Sequence, residues 1–290
     1  MSSNRELIQR AAADLVKAKH AIALTGAGIS TESGIHDFRG PDGIWTKHPE
    51  MEQRAFRAYE LFRKNPRAYW EETLNSPPIL GDLGKILPNP GHYALAKLGE
   101  LGILKCVITQ NIDNLHELAG SENVYDYHGN AFKLRCIRCD SRFSIEEYDL
   151  NGLKSSGKLP PHCKKCSGIV KEDIVHFGEP IPSDVAEHST EEALLCDVML
   201  VCGTSAVVYP FANLPRIAKQ KATGMGAMDT GFYLGGEQSK AIIIEVNFEP
   251  TLLTEDGISD YFIQGKTGEI LPEIVKAVER LQTGLKNNYQ

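Results

Sequence analysis

Five short apolar runs, each followed at once by a glycine or a polar side chain, limit the folds open to this chain more than any other feature. They lie at residues 20–24, 104–109, 125–128, 198–202 and 241–246, and helical patterns separate most of them. Strands that alternate with helices indicate a parallel α/β sheet. Such sheets bind ligands at the carboxyl ends of their strands. We therefore expect the polar residues that follow these strands to line one crevice.

The composition indicates an ordinary globular protein. Apolar residues make up 42% and charged residues 24% of the chain, whose formal net charge is −7. A nucleic-acid-binding protein usually carries a basic excess, so direct binding of nucleic acid is not expected. No stretch approaches the roughly 18 uninterrupted apolar residues of a membrane helix, and the first residues lack the apolar core of a secretory signal. We expect a cytoplasmic or otherwise intracellular protein without a membrane partner.

Four of the seven cysteines form two C-x-x-C pairs, Cys136 with Cys139 and Cys163 with Cys166. Two such pairs supply the four thiolates of a tetrahedral zinc site. Four protein ligands leave no open coordination position, so we predict one structural Zn²⁺. Four unrelated cysteines or two redox pairs are the alternative interpretations. The other cysteines lie in apolar, strand-like contexts and are predicted to be buried; they are at positions 106, 196 and 202.

The first predicted strand leads into Gly26-Ala27-Gly28, a glycine turn that would let a backbone approach a pyrophosphate. A simple tight turn is the alternative. The third glycine of the dinucleotide fingerprint is missing, because Thr31 stands in its place. This broken fingerprint disfavours a hydride-transferring dehydrogenase. The polar segment 30–40 has no regular period, so we interpret it as a ligand-binding loop.

Polar side chains also follow the next two predicted strands. Gln110, Asn111 and Asp113 come directly after the strand at 104–109, where amide side chains could orient sugar hydroxyls and a carboxamide. His128 ends the strand at 125–128. A lone histidine is usually structural. One at a strand end in a nucleotide crevice is a candidate general base, since its ordinary pKa lies near 6.5.

Several motifs occur in a fixed order along the chain. They are Gly26-Ala-Gly-Ile-Ser-Thr-Glu-Ser-Gly-Ile, Asp37-Phe-Arg-Gly, Thr109-Gln-Asn-Ile-Asp, His128-Gly, the four cysteines, Phe177-Gly-Glu, Gly203-Thr-Ser and Val246-Asn. Any one of them is weak evidence, but the ordered set is highly specific and spans roughly residues 20–270. With these motifs the chain resembles the sirtuins, the NAD-dependent protein deacylases.

The resemblance implies an α/β fold with two domains. A large Rossmann-like NAD-binding domain would comprise residues 1–40, 91–131 and 177–290. A smaller, discontinuous domain would combine a helical module at 41–90 with the zinc ribbon at 132–176. Within the large domain, residues 223–240 contain five glycines, and we interpret them as a mobile loop that is peripheral to the chemistry.

The resemblance also implies which residues form the active site. The NAD-binding residues would be Gly26, Ala27, Gly28, Ser30, Thr31, Phe38, Arg39, Gln110, Asn111, Ile112, Asp113, Gly203, Thr204, Ser205, Asn247 and Phe248. The residues that bind the acyl-lysine peptide would be Val175, Phe177, Gly178, Glu179 and Val208. Gly178, Glu179 and a strand near Val208 would pair with the substrate backbone, which would add a strand. The catalytic residues would be His128, as the general base, and Asn111.

The implied reaction consumes NAD as a substrate. Nicotinamide leaves the ribose, the acyl oxygen of the lysine amide attacks the same carbon, and His128 accepts a proton relayed from the ribose 2′-hydroxyl. The 2′-oxygen then attacks the imidate carbon, and water completes the release of lysine. The products would be nicotinamide, O-acyl-ADP-ribose and free lysine, as expected of a protein deacetylase, which is formally a transferase. A mono-ADP-ribosyltransferase or NAD glycohydrolase on the same scaffold is one alternative. A non-enzymatic zinc-ribbon binding module is another.

Two histidines depart from the family pattern, and one pair of residues differs from a subgroup of sirtuins. His36 stands where a proline is usual, and His176 replaces a bulky hydrophobic residue before Phe177. We interpret both histidines as solvated. The alternative for His36 is a looser cofactor loop, because the fixed φ of proline is lost. The alternatives for His176 are an altered peptide preference and a second histidine near the acyl tunnel. Thr73 and Ser76 stand where sirtuins that favour acidic acyl groups carry a Tyr-x-x-Arg pair. We therefore expect acetyl groups to be removed faster than succinyl or malonyl groups.

Overall fold

The computed structural model of the chain describes residues 3–38, 40, 43–76, 83–220 and 240–287. Among these residues no helix is long and apolar enough to cross a membrane. Of the loop predicted at 223–240, all but Lys240 lies outside the described residues.

Helices and strands alternate along the chain, as the apolar runs predict. The helices are α1 (Asn4–Lys17), α2 (Ile44–Lys47), α3 (Pro49–Lys64), α4 (Pro66–Asn75), α5 (Pro90–Glu100), α6 (Leu115–Leu118), α7 (Leu150–Ser155), α8 (Ser183–Leu195), α9 (Leu214–Gln220), α10 (Leu252–Glu255) and α11 (Thr267–Asn287). The strands are β1 (Ala21–Thr25), β2 (Leu104–Thr109), β3 (Val124–Asp126), β4 (Lys133–Cys136), β5 (Arg142–Ser144), β6 (Val170–Glu172), β7 (Val198–Cys202), β8 (Ile242–Asn247) and β9 (Tyr261–Gln264).

Six strands form a parallel sheet in the order β3-β2-β1-β7-β8-β9. When β4, β5 and β6 are left out of the numbering, this is the 3-2-1-4-5-6 order of the Rossmann fold. The strand order reverses between β1 and β7, and such a switch point opens a crevice at the carboxyl ends of the strands. The predicted Rossmann-like sheet is confirmed.

Helices cover both faces of this sheet, which explains why its strands are continuous apolar runs. β1 and β7 are buried at every position. On one face, Leu15 of α1, Leu95 of α5 and Ile274 of α11 belong to the core. On the other face, Val185 of α8 and Leu214 of α9 do so. Burial of this apolar surface, at about 25 cal/mol per Å², is the main contribution to the stability of the sheet.

The strand predicted at 125–128 is shorter than expected. It ends at Asp126, so Tyr127 and His128 lie beyond it. The cause is Gly129, whose φ of 78° turns the chain out of the extended conformation. α8 and β9 are absent from the sequence analysis, because α8 is rich in polar residues and β9 is only four residues long.

A second sheet, here called the ribbon, is antiparallel with the order β5-β4-β6. Helices α3 and α4 pack on it through Phe62, Tyr69 and Trp70, which share one buried cluster with Leu134 and Val170. The fully buried Trp70 donates from its indole Nε1–H to the carbonyl oxygen of Val170 (3.0 Å). The helical segment and the ribbon therefore share a core of their own. The domain boundaries stay a prediction.

Candidate active site

The loops that follow β1 and β7 touch through glycine backbone. Gly28 N–H donates to the carbonyl oxygen of Gly203 (2.7 Å). A Cβ atom on Gly28 would lie 2.7 Å from that oxygen, and Gly203 has a left-handed φ of 60°. Neither position accepts another residue without displacement of the backbone. The glycine turn therefore brings two strand ends together at the switch point of the sheet.

A buried polar cluster adjoins this turn. Ser30 Oγ donates to Asp113 Oδ2 (2.7 Å) and accepts from Asn111 Nδ2 (2.9 Å), which also lies 3.2 Å from the Gly26 carbonyl oxygen. All three side chains are almost fully buried. Burial raises the pKa of Asp113, and hydrogen bonds from Ser30 and from Leu115 N–H oppose that rise. Residues that follow two different strands are thus in direct contact.

Two buried histidines extend the polar cluster into the core. His92 Nδ1 accepts from Asn89 N–H (3.3 Å), so its Nε2 carries the proton and donates to Ser30 Oγ (3.4 Å). His116 Nε2 lies 2.9 Å from Thr25 Oγ1, and the two imidazole rings are 4.9 Å apart. Burial lowers the pKa of His92 to about 4. Burial, together with the proximity of His92, lowers the pKa of His116 well below its ordinary value.

His128 follows β3 and contacts the loop after β2. Its Nδ1 donates to the carbonyl oxygen of Gln110 (3.3 Å), which leaves Nε2 as the unprotonated nitrogen. Burial lowers the pKa of His128 to about 4, although the Gln110 contact acts in the opposite direction. The imidazole is therefore neutral at pH 7, with a lone pair on Nε2 that can accept a proton.

The chain segment that leaves the ribbon contacts the backbone of His128 and Gly129. Val175 N–H donates to the His128 carbonyl oxygen (2.8 Å). A Cβ atom on Gly129 would collide with the carbonyl oxygen of Asp173. The absence of a side chain at Gly129 thus allows this segment, and with it Val175, to lie beside the candidate base.

Four aromatic side chains, here called the aromatic wall, lie beside the same segment. Phe38 packs on Trp45 (ring centroids 4.7 Å apart), Trp45 packs on Phe177 (5.5 Å), and Phe177 stacks on Phe56 (4.2 Å). Phe56 is 52% exposed. The wall therefore connects the polar loop to Phe177 and presents apolar surface to solvent.

Thr204 links the loops after β2, β7 and β8. Its Oγ1 accepts from Gln110 Nε2 (2.7 Å), and its carbonyl oxygen accepts from Asn247 Nδ2 (3.0 Å). The neighbouring Ser205 is exposed, and Phe248 is 64% exposed. These predicted NAD residues therefore lie at adjoining strand ends, with an aromatic ring accessible to a ligand.

The remaining predicted NAD residues are near the glycine turn or outside the described chain. Ala27 begins a 3₁₀ turn directly after β1, and Thr31 Oγ1 donates to the Gly28 carbonyl oxygen (2.9 Å). The carbonyl oxygen of Ile112 accepts from the N–H of residue 131 (2.9 Å). Arg39 lies outside the described residues.

One expectation for the substrate side is wrong. Val208 lies in a bend and not in a strand, and its carbonyl oxygen accepts from Ala212 N–H (3.0 Å). The physical reason is Pro210, which has no N–H for a strand partner and leads into a 3₁₀ turn. Gly178 is exposed, whereas the Glu179 side chain is directed inward and is only 4% exposed.

The two unusual histidines differ in their surroundings. His36 is exposed, as predicted. His176 is partly buried: its Nε2 lies 2.7 Å from Tyr69 Oη, and burial, followed by the charges of Lys171 and Arg54, lowers its pKa to about 3. The prediction for His176 is wrong because α4 packs on the ribbon and covers this side chain.

The four predicted zinc ligands converge beside the ribbon. Their Sγ atoms all lie within 4.8 Å of one another, with 3.5 Å between Cys136 and Cys166 and 3.7 Å between Cys139 and Cys163. Tetrahedral ligands at about 2.3 Å from a zinc ion would be roughly 3.8 Å apart. Backbone N–H groups donate to two of these sulfurs (3.4 Å each). The donor set and its spacing fit one structural Zn²⁺. The other cysteines are buried, as predicted, at positions 106, 196 and 202.

Comparison with known proteins identifies the family. Residues 26–210 match the sequence model of the Sir2 family. The chain belongs to this family. It is 43% identical to NAD-dependent protein deacylase 2 of Archaeoglobus fulgidus, over 95% of this chain and 98% of that protein. It is 41% identical to the NAD-dependent protein deacylase of Pyrococcus furiosus, over 92% of this chain and 96% of that protein. The resemblance to sirtuins is confirmed.

Solved structures of Sir2 proteins share the fold of this Sir2-family chain. A Sir2 enzyme 42% identical to it superposes with a TM-score of 0.71, over 96% of this chain and 99% of the other. A Sir2 homologue in complex with NAD is 36% identical, with a TM-score of 0.70 over 96% and 94%. A Sir2 protein bound to a myristoylated histone peptide is 38% identical, with a TM-score of 0.62 over 97% and 99%.

The buried histidines of this Sir2-family chain escaped the sequence analysis. A signal existed for His92, because Asn89 and His92 have the spacing of a capping box at the start of α5. No comparable signal marks His116, whose partner Thr25 lies on β1. Only the packing of α5 and α6 beside β1 shows that His92 contacts Ser30 and that His116 contacts Thr25.

We expect the free energy of unfolding to fall as the pH is lowered from 6.5 to 4. His92 and His128 have pKa values of about 4 in the folded protein, below the unfolded value near 6.5. The unfolded chain therefore binds more protons in this window, and acid favours unfolding. For the fully buried His92 the shift corresponds to a loss of about 3 kcal/mol. Urea unfolding between pH 7 and pH 4 measures the effect.

Two variants separate the contribution of His92 from general acid sensitivity. His92→Gln removes the titrating group, so its unfolding free energy should vary less between pH 6.5 and 4 than that of the unmodified protein. His48→Gln changes a histidine whose side chain is 54% exposed, and it should keep the full pH dependence. An unchanged pH dependence in His92→Gln would contradict the assignment.

Proposed function

We propose that this chain is an NAD-dependent protein-lysine deacylase that releases nicotinamide, O-acyl-ADP-ribose and free lysine. Relatives 41% and 43% identical to it, along almost their whole length, are NAD-dependent protein deacylases. Relatives of known structure bind NAD and an acylated histone peptide. The observation in this chain that carries the proposal is the neutral imidazole of His128, which the Gln110 carbonyl orients beside the segment that contains Val175.

The residues that would hold NAD are the glycine turn and the polar cluster. NAD, when bound, supplies a ribose carbon that becomes electrophilic as nicotinamide leaves. Asn111 carries an amide and Asp113 a carboxylate, which together can donate to and accept from a carboxamide. Ser30 holds both side chains in place. These hydrogen bonds offset the cost of burying the three polar side chains.

His128 would act as the general base for a ribose hydroxyl. The Gln110 carbonyl oxygen fixes the tautomer in which Nε2 is free. The low pKa of about 4 keeps this nitrogen unprotonated throughout the neutral range. The unprotonated imidazole is the form that can accept a proton from a ribose hydroxyl within hydrogen-bond reach.

The acyl-lysine side chain would lie along Val175 and the aromatic wall. Phe177 and its neighbours Phe56 and Trp45 form an apolar surface that suits methylene groups and excludes water. Gly178 is exposed, so its backbone is accessible to a peptide. The assignments of Gly178, Glu179 and Val208 to peptide binding remain part of this proposal.

One reaction tests the proposed function. The protein is incubated with NAD and an acetyl-lysine peptide, and both products are identified by mass spectrometry. Deacylated peptide and O-acetyl-ADP-ribose in equal amounts are the expected result. Nicotinamide release with an unchanged peptide would show an NAD glycohydrolase. A peptide that gains the mass of ADP-ribose would show an ADP-ribosyltransferase.

We expect acetyl peptides to be deacylated with a kcat/KM about tenfold or more above that of the succinyl versions. An acidic acyl tail would need a cation, and leaving a charge without a partner costs about 1–3 kcal/mol. Arg67 is engaged by Glu71 (2.9 Å), and Glu72 lies 3.6 Å from Arg54 and 4.0 Å from Arg57. Parallel assays of one peptide with either acyl group measure the ratio.

The variant Glu72→Gln tests this reasoning, because it removes the carboxylate beside two arginines. The ratio of acetyl to succinyl turnover should become smaller in that variant. Equal turnover of acetyl and succinyl peptides by the unmodified protein would show that a cation already serves the acyl tail.

We further propose that the protein acts in a reducing, intracellular compartment. The zinc site requires four thiolates, and the described cysteines carry no disulfide. Thiols stay reduced in such compartments, whereas the cysteines of secreted proteins are commonly oxidised to disulfides. Fractionation followed by immunodetection would test the location.

A further inference from the structure

His176 joins the segment that contains Val175 and Phe177 to Tyr69 of α4. Phe177 and His176 contact different neighbours. Phe177 stacks on Phe56 of the aromatic wall (4.2 Å). The ring of His176 meets the ring of Tyr69 edge to face with 5.6 Å between the centroids.

The hydrogen-bond pattern at Tyr69 defines the proton position on His176. Tyr69 Oη donates its single proton to Glu172 Oε2 (2.8 Å). His176 Nε2 lies 2.7 Å from the same oxygen, so it must be the donor in that contact. His176 therefore carries a proton on Nε2, and Tyr69 Oη joins the segment to β6 as well.

Tyr69 itself is held rigidly. It is 2% exposed, and it belongs to the core that α4 shares with the ribbon. The next residue, Trp70, ties α4 to the ribbon through its bond to the Val170 carbonyl oxygen (3.0 Å). The Tyr69 hydroxyl is therefore held in one position, where it can orient the segment that contains His176.

The backbone of His176 is fixed by a buried ion pair. Its N–H donates to Glu179 Oε2 (3.1 Å). The same oxygen lies 3.1 Å from Nζ of Lys171, which is fully buried and also donates to the carbonyl oxygens of Glu172 and Ile174. Only the side chain of His176 connects this segment to α4 in these contacts. The bond between His176 and Tyr69 therefore links the segment that carries Phe177 to α4.

We propose that His176 and Tyr69 are positioning residues for the acyl-lysine substrate: their hydrogen bond fixes Phe177 against the aromatic wall. The proposal rests on the proposed deacylase function. It assigns no chemical step to either residue. A hydrophobic residue at position 176 could only pack against its neighbours, whereas His176 forms a directional hydrogen bond with Tyr69 Oη.

The test compares His176→Phe, His176→Gln and Tyr69→Phe. We expect His176→Phe to raise the KM of an acetyl peptide about 3- to 10-fold, the loss of one buried hydrogen bond. The KM of NAD and kcat should stay within about twofold. His176→Gln restores an N–H donor of similar reach and should recover most of the peptide affinity. The double variant of His176→Phe with Tyr69→Phe should be no worse than the more impaired single variant.

Exposed residues supply matched controls. His48→Phe and Tyr93→Phe make the same chemical changes at side chains that are about half exposed. Both should leave the KM of the peptide unchanged. If Tyr69→Phe loses zinc or unfolds, His176→Phe and His176→Gln still decide the question, because the bond from Tyr69 to Glu172 remains in both.

A second measurement does not depend on turnover. The chain has two tryptophans, and Trp45 packs on Phe177 (5.5 Å). In protein labelled with 5-fluorotryptophan, the ¹⁹F resonance of Trp45, assigned with Trp45→Phe, should shift in His176→Phe and return toward its original position in His176→Gln. This signal remains readable even if the unmodified protein fails to deacylate any peptide, which would refute the proposed function instead.

Two results would overturn the positioning role. One is an unchanged peptide KM and an unchanged Trp45 resonance in folded, zinc-loaded His176→Phe. The other is an equal rise in the KM values of NAD and peptide, which a general loss of structure would produce.

Discussion

Replacing His128 by alanine should lower kcat for deacylation by roughly 10²–10⁴-fold, the usual contribution of a positioned general base. The imidazole contacts the Gln110 carbonyl only through Nδ1, so its removal leaves the polar cluster of Ser30, Asn111 and Asp113 in place. The dissociation constant of NAD should therefore change by less than about threefold. Steady-state kinetics and calorimetric titration with NAD measure the two quantities.

The matched control for this variant is His48→Ala, which removes an exposed imidazole from the start of α3. It should leave kcat unchanged. A second variant, His128→Asn, keeps a polar side chain but removes the basic nitrogen, so it should be nearly as impaired as His128→Ala. Turnover near that of the unmodified protein in either His128 variant would remove this residue from the mechanism.

Loss of a zinc ligand should unfold the ribbon and abolish activity. Binding of zinc to four thiolates contributes an apparent 10–16 kcal/mol, about as much as the whole stability of a typical domain. Cys163→Ala should therefore reduce the zinc content from one ion per chain to nearly none. Because β6 leads directly into the segment that contacts His128, the proposed acyl-lysine site should be lost with the ribbon.

Elemental analysis and the fluorescence of Trp70, which is bonded to the Val170 carbonyl, report on zinc and on the ribbon. Cys106→Ala is the matched control, because it removes a buried thiol from the core of the main sheet. It should keep one zinc and cost about 1 kcal/mol, the order expected for a small cavity. Soluble, fully active Cys163→Ala without zinc would refute a structural metal.

Local patterns determined the architecture and the zinc ligands. The buried runs at 104–109 and 198–202 are strands with these bounds, because a strand covered on both faces must be continuously apolar. The pairs Cys136 with Cys139 and Cys163 with Cys166 are also readable from spacing alone, since a metal needs several ligands within a few ångströms. The family resemblance added which loops should surround NAD.

Only the tertiary structure decided which polar groups meet. Ser30 and Asn111 are 81 residues apart in the chain, and Tyr69 and His176 are 107 residues apart, yet both pairs are hydrogen-bonded. Neither contact produces a repeating pattern in the sequence, because each is a single hydrogen bond between two side chains that are far apart in the chain. His176 illustrates the difference: a polar residue is expected in water, but the packing of α4 on the ribbon covers part of this side chain and gives it Tyr69 as a partner. The burial of a side chain and its hydrogen-bond partners depend on how helices and sheets pack together, so they cannot be read from one segment of the sequence.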